Sequence, residues 1–443
     1  MCLYRAKSIF TVLLIAFASN IFAQTTTVSN PTSLRFNDPY SRFGIGTLND
    51  GTPTPLRAMG GTGASYNDPY NINPDNPASY SFLYYTTYQG GMEANLTTLS
   101  TNTTSYATGN ATLSYFTIGI PVSRPTRKVP AGIVLGLRPF AREYYNMSDT
   151  QADLLGSQTI HNFSGNGSVN LAYVGAAARY KKFSIGFNLG YMFGQNQYAS
   201  HLINLDSTHV YNSNFLEYVK VGGLYWKGGV MYCDTMAKGL ILNVGATFTL
   251  KQNISATRND YWVATRSAPD SFFVDTSYNS QELKGKITLP TSFDFGIQLA
   301  KANKWSVAFD YTSTQWSQYR GFGTIDSVIN KSFRASLGGS IVPNYEATRG
   351  YLQRITYRFG VYYGSQYVYL NGTTLNNYGF TFGASLPYKR NNLGGRITTG
   401  ALHIGFDFGT LGTKSNGLFQ ESYARFTLGL SLSDKWFIPR KYD

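Results

Sequence analysis

The 443 residues include only 14% charged side chains but 16% aromatic ones, among them 35 Tyr and 29 Phe, alongside 45 Gly. That balance suits a large sheet with an apolar outer face, and no linker, charge block or composition shift after about residue 80 divides it into smaller domains. The net charge of +14 comes from 37 basic residues scattered along the chain, which excludes nucleic acid as a partner and fits loops near an anionic lipid surface.

The chain starts with a leader. Arg5 and Lys7 precede an apolar run from Ile9 to Ala18, and Ile21-Phe22-Ala23 ends on a small residue before Gln24. This predicts a signal peptide over 1–23 and an exported mature chain. Cys2 stands ahead of the apolar run and leaves Cys233 alone, so no lipid-attachment cysteine, internal disulfide or metal site is expected. No later apolar run is long enough for a membrane-spanning helix.

Residues 24–81 read as a polar lead-in followed by a plug. The stretch from Leu56 to Leu83 has close-spaced glycines and prolines and no strand of useful length. Gly60 and Gly61 permit tight turns and close backbone approach, and Asn76-Pro77-Ala78 stands just before the first strand. Gly61-x-Gly63-x-x-Tyr66 lacks the third glycine of a dinucleotide fingerprint and follows no strand.

From Phe82 onward the period is two. Leu240, Leu242, Val244, Ala246, Phe248 and Leu250 alternate with Gly239, Ile241, Asn243, Gly245, Thr247 and Thr249. The same alternation places Ile185 to Phe193, Phe293 to Leu299, Trp305 to Tyr311, Leu402 to Phe408 and Phe426 to Leu432 on a greasy face, with small or polar residues opposite. A soluble sandwich would also alternate. Strands of roughly ten residues with lone Arg, Asp and Asn on the non-greasy face instead fit lipid outside and a wet lumen inside. Closure into a barrel is how strands satisfy every backbone group in a bilayer.

The predicted fold is thus all-β: a transmembrane antiparallel β-barrel of about fourteen strands over 82–434, with a tail at 435–443. The short connections Tyr180-Lys181-Lys182 and Ala300 to Lys304 read as periplasmic turns, and the polar stretches near 146–162, 259–275 and 344–352 as outer loops.

Four features carry a family resemblance: Arg57-Ala58-Met59-Gly60-Gly61, Asn76-Pro77-Ala78 before the first strand, Leu289-Pro290 opening a strand that continues Phe293 to Leu299, and the following Trp305 to Trp316 strand. In this order they resemble the FadL-type outer-membrane transporters of long-chain fatty acids and other hydrophobic compounds. The resemblance implies fourteen strands, an N-terminal hatch, and sideways release of ligand through a gap in the wall at a kinked third strand. It places the chain, multi-pass, in the cell outer membrane of a Gram-negative bacterium, in contact with outer-membrane lipid.

Pro139 falls in the third strand, where it cannot donate a ladder hydrogen bond. Either it bulges the strand and is the lateral-gate candidate, or the strand has ended at Arg138. Arg138 and Arg142 beside it are candidates for a fatty-acid carboxylate, or for an acidic residue such as Glu143 or one in the plug. Arg334, Arg358, Arg425, Asp294, Asp310 and Asp407 share the inward parity, where charges need partners. His161, His201, His209 and His403 show no ligand spacing, and His403 with Asp407 has no evident nucleophile, so neither a cofactor nor enzyme activity is expected. The last strand is followed by Trp436-Phe437, so the aromatic is not terminal and is expected at the inner interface.

Two functions follow. The first, favoured by the resemblance, is passive uptake of hydrophobic small molecules such as fatty acids by hatch movement around Asn76 to Ala78. It requires an apolar cavity above the plug. The second is a non-transporting barrel subunit or shuttle of a multi-protein envelope machine such as type IX secretion, which requires envelope protein partners and an occluded lumen.

Overall fold

The structure, a computed structural model, describes residues 37–434 apart from 50, 124–126, 153–157, 205–211, 269–270, 281, 330, 348 and 394–395. The leader at 1–23, most of the lead-in and the tail with Trp436-Phe437 lie outside the described residues. Fourteen strands close into one antiparallel barrel. They are β1 Thr86–Ser100, β2 Ser105–Pro121, β3 Ala131–Ala152, β4 Gln158–Tyr180, β5 Phe183–Asn204 and β6 Asn212–Thr235. Next come β7, interrupted once (Leu240–Thr249 and Gln252–Ala268), and β8, interrupted twice (Ser271–Asn279, Leu283–Leu289 and Ser292–Lys301). The circuit finishes with β9 Trp305–Thr314, β10 Ser332–Ile341, β11 Thr356–Leu370, β12 Thr373–Leu393, β13 Arg396–Gly412 and β14 Gln420–Asp434, which pairs with β1 from Gln420–Ser100 to Asp434–Thr86.

The alternation does what a bilayer requires. Phe183, Ile185, Phe187, Leu189, Tyr191 and Phe193 are all exposed on the outer face of β5, while Ser184, Asn188 and Met192 between them are buried. Phe293, Phe295, Ile297 and Leu299 repeat the pattern on β8, as do Val307, Phe309 and Tyr311 on β9. In lipid this band gains its stabilisation from the hydrocarbon, and the closed ladder leaves few backbone groups unpaired.

The wall is uneven in height. β3 to β6 run 22, 23, 22 and 24 residues, whereas β9 and β10 have 10 each. Calling the end where β1 finishes the upper end, most of the stretches expected as outer loops at 146–162 and 259–275 are instead strand, rising as β-ribbon above the apolar band. The stretch 344–352 is a correction. It joins β10 to β11 at the lower end, the same end as the turns at Lys181 and Asn303, because β10 runs downward from Ser332 paired with Thr314 to Ile341 paired with Trp305.

Pro139 does not end β3. The strand continues to Ala152, and its ladder with β4 shifts register between Pro139 and Ala141, the bulge that a residue without an N–H imposes. On the other side, β3 pairs with β2 only from Phe116–Leu137 down to Pro121–Gly132. Above Leu137 the two strands part.

Candidate functional site

The N-terminal segment is buried against the inward faces of the strands, in two parts. The lower part begins with a helical turn, Thr54–Arg57, which the sequence did not announce, and ends with a 3-10 turn, Pro77–Phe82, so the first strand starts at Thr86 and not at Phe82. Gly60 and Gly61 adopt φ of 74° and 85°, a backbone that side chains resist. The tight turn lets the Gly60 N–H donate to Thr381 Oγ1 at 2.9 Å while its carbonyl accepts from Arg334 Nη2 at 3.2 Å. A Cβ on Gly338 or Gly360 of the wall would strike the backbone at Met59 and Gly60, so the wall glycines make the room.

Asn76, Pro77 and Ala78 are brought together as a dock. The Asn76 amide donates to the carbonyls of Ala64 at 2.6 Å and Val230 at 3.2 Å, and its oxygen accepts from the Ala78 N–H at 3.0 Å. Pro77 lies against Gly186 and Gly229, and the Ala78 carbonyl accepts from Ser184 Oγ at 2.7 Å. These bonds give buried backbone carbonyls and an N–H partners away from water, as burial demands.

Charge pairing holds the same part. Glu93 on β1 meets Arg57 of the segment at 3.4 Å and Arg142 of β3 at 3.0 Å. Asp310 Oδ2 accepts the N–H groups of Gly63 at 2.6 Å and Ala64 at 2.7 Å. Asp407 pairs with Arg425 at 3.3 Å and Asp294 with Lys227 at 3.2 Å, so the inward charges brace one another and the segment. Arg138 and Arg142 have protein partners, Asp75 at 3.5 Å and Glu93, neither of them Glu143. His403 sits buried with Ser385 Oγ at 2.6 Å and Ser431 Oγ at 2.9 Å; no carboxylate orients its ring, and Asp407 bonds Tyr362 instead.

The upper part, Asn37 to Asn49, is held differently. Asp38 caps the turn Pro39–Arg42 by accepting from the Ser41 N–H, and burial holds its carboxyl above the usual carboxylate range. Tyr40 and Ile45 join one buried apolar cluster with Trp316, Tyr319, Tyr367 and Leu418. Trp316 stacks on Tyr367 with ring centroids 4.1 Å apart, and Tyr367 Oη donates to the Phe43 carbonyl at 2.8 Å. This part also takes the place that β2 vacates. Thr47 and Leu48 pair with Arg142 and Ala141, Asn49 N–H donates to the Phe140 carbonyl, and Asp38 N–H to the Tyr144 carbonyl. Arg142 closes the seam from the other side, its guanidinium donating to Thr112 Oγ1 at 2.6 Å and to the Leu113 carbonyl at 2.9 Å on β2.

Between the two parts lies a cavity of about 460 Å³. Arg57, Glu93, Arg138, Arg142, Asp294 and Arg425 are in its lining. Sequence reasoning singled out the glycines, Asn76 to Ala78 and most of the inward charges. It missed Glu93, although a lone acid in a strand of neutral residues was the available signal. It also missed the upper part, signalled by the capping pattern Asp38-Pro39-Tyr40-Ser41.

A closed fourteen-stranded barrel with its N-terminal segment inside is the FadL-like class of fold. Among solved structures, the chain is similar to the Pseudomonas putida toluene transporter TodX, at 13% identity and a TM-score of 0.57 over 88% of this chain and 100% of that one. A Pseudomonas aeruginosa FadL homologue matches at 10% identity and 0.53 over 89% and 100%, and the monoaromatic hydrocarbon channel CymD at 15% and 0.52 over 87% and 98%. None of the curated proteins matches. The family model of BamG matches residues 6–443, and the chain belongs to the BamG family.

Proposed function

We propose that this chain is a closed, non-transporting barrel of the outer membrane of a Gram-negative bacterium, acting as a subunit of a multi-protein envelope machine. The observation that carries this reading is the character of the lumen. An apolar conduit needs an apolar cavity, and the space above the lower part of the segment mixes apolar side chains such as Phe140, Leu289 and Trp316 with charged ones such as Arg57, Glu93, Arg138, Arg142, Asp294 and Arg425. A fatty-acid tail placed there would lie against ion pairs along part of its length, where a conduit for such a tail needs apolar contact. Above this space the apolar cluster around Trp316 and Tyr367 is filled by the chain's own side chains. The likeness to hydrocarbon channels, at 13 to 16% identity, is one of fold, and fold alone does not carry function.

The parting of β2 from β3 above Leu137 favours a second reading, uptake of a hydrophobic small molecule such as a fatty acid. In it the hatch moves around Asn76 to Ala78, the ligand leaves sideways near Pro139, and Arg138 or Arg142 exchanges its present partner for the ligand carboxylate.

Extraction of the natively expressed protein in mild detergent, with mass spectrometry of co-purifying proteins and lipids, separates the two. A stoichiometric complex with envelope proteins and no specific lipid is the expected result. A lone barrel carrying an apolar compound would overturn it in favour of uptake, and Pro139→Val should then abolish release.

A further inference from the structure

Above the apolar band the tall side of the wall, β3 to β8, continues as a six-stranded sheet whose inner face carries one continuous row. Met147 pairs with Phe163, Phe163 with Ser200, Ser200 with Phe215, Phe215 with Trp262 and Trp262 with Tyr278. All share the parity of the buried Ile254 and Val219 lower on the same strands, so the row lies on the inner side. Phe215 and Trp262 meet edge to face at 5.8 Å, and Arg42 stacks over Phe163 at 4.9 Å. At the far end the row is uncovered: Trp262 is 52% and Tyr278 54% exposed.

That end coincides with an open ladder. Ser271–Asn279 pairs with β7 from Ser271–Ala268 to Asn279–Tyr261 and, among the described residues, with no strand on its other side. The neighbour that would cover it, β9, stops at Thr314 opposite Ser292, and the short strand Arg320–Gly321 reaches only Ile287 and Thr288. Exposed edges in natural sheets are guarded by lysine, proline, a bulge or a covering loop. Here the ladder shifts register once, between Thr276 and Tyr278, while Ser271 to Thr276 pairs without interruption, and the sequence Ser271-Phe-Phe-Val-Asp-Thr-Ser-Tyr-Asn279 has no lysine, arginine or proline and is rich in strand-forming residues.

We propose that Ser271–Asn279 accepts an extended segment of a partner envelope protein as an added strand, with Trp262 and Tyr278 as the anchors for its inward side chains. The occupant is set by the chemistry of the site: a row of free backbone donors and acceptors recognises another backbone, and adjacent half-exposed aromatics supply the apolar contact that such strand addition uses for specificity. The proposal rests on the machine-subunit reading and names where that partner docks.

The test compares amide hydrogen exchange in the complex extracted in mild detergent with that in the same barrel stripped of its partners. The expected result is at least tenfold slower exchange at Ser271–Asn279 in the complex. The double variant Trp262→Ser, Tyr278→Asp should lower the partner-to-barrel ratio at least tenfold, while Val263→Ser, on the outward face of the same strand, leaves it unchanged. Heat-dependent electrophoretic mobility reports that each variant barrel is folded. Equal exchange in the presence of partners would overturn the docking site and leave the subunit reading standing. A wild-type barrel that is extracted alone would remove that reading and the proposal with it. Protection of these amides by a co-purified glycan or lipopolysaccharide, with no protein present, would also overturn it.

Discussion

The lower and upper parts of the N-terminal segment are held inside the same barrel by opposite physics. Below, docking is directional: Arg57 on Glu93, Gly63 and Ala64 on Asp310, and Asn76 on two carbonyls. Above, it is mainly apolar burial of Tyr40 and Ile45 beneath Trp316 and Tyr367, with hydrogen bonds at the rim. Directional pairing specifies one seating but leaves costly orphans when a partner is lost. Apolar packing tolerates small shifts and loses roughly in proportion to the volume removed.

The sharpest way to break the contrast is Glu93→Ala, which orphans Arg57 and Arg142 together. Removing one member of a buried ion pair costs about 3–5 kcal/mol, and here two cations lose the same partner. Limited proteolysis between residues 37 and 85 should become faster in folded barrels, and the β2–β3 seam should loosen because Arg142 also holds the Leu113 carbonyl. Trp316→Ala removes the upper stack and should cost about 3 kcal/mol, the low end for a buried Trp because part of the ring borders the cavity. Thermal unfolding in detergent measures this, and the new cleavage should fall at 37–49 while the lower part stays protected.

Asn76→Ala should cost about 2 kcal/mol, since two carbonyls and one N–H lose a buried partner, and it should expose the lower part alone to hydrogen exchange. The smallest effect has the opposite sign. Asp38 is buried beside Glu421, and its raised carboxyl pKa means that the folded state prefers the proton. Its contribution is present at low pH and is lost as pH rises through the folded value, so acidifying from neutral pH toward the ordinary carboxylate range should slow proteolysis at 37–49. Asp38→Asn should reproduce that gain at neutral pH and flatten the dependence.

How much was legible follows from what is local. Gly60 and Gly61 announced a tight turn and Asn76-Pro77-Ala78 a break before the wall, and at Gly60 and at Asn76 to Ala78 the chain packs directly against wall glycines. At Pro139 the missing N–H announced an irregularity, a bulge or a strand end, and the ladder around it shows that the strand continues through a bulge. The stretch 344–352 was placed at the wrong end because polarity is shared by turns at both ends of a barrel, and only the count of preceding strands tells them apart.

The sequence by itself determined the architecture. A side chain's face in a strand depends on parity alone, so alternation over ten residues specifies which side meets lipid, and its repetition specifies the number of strands. What only the tertiary structure decided is who meets whom across the lumen. Glu93 with Arg57 and Arg142, Asp310 with Gly63 and Ala64, and Thr47 with Arg142 join positions 36 to 247 residues apart, or nearly 100 in the last case. Those contacts follow from strand register and from where a segment without periodicity folds back, and both are set by closure of the whole barrel instead of by any local pattern.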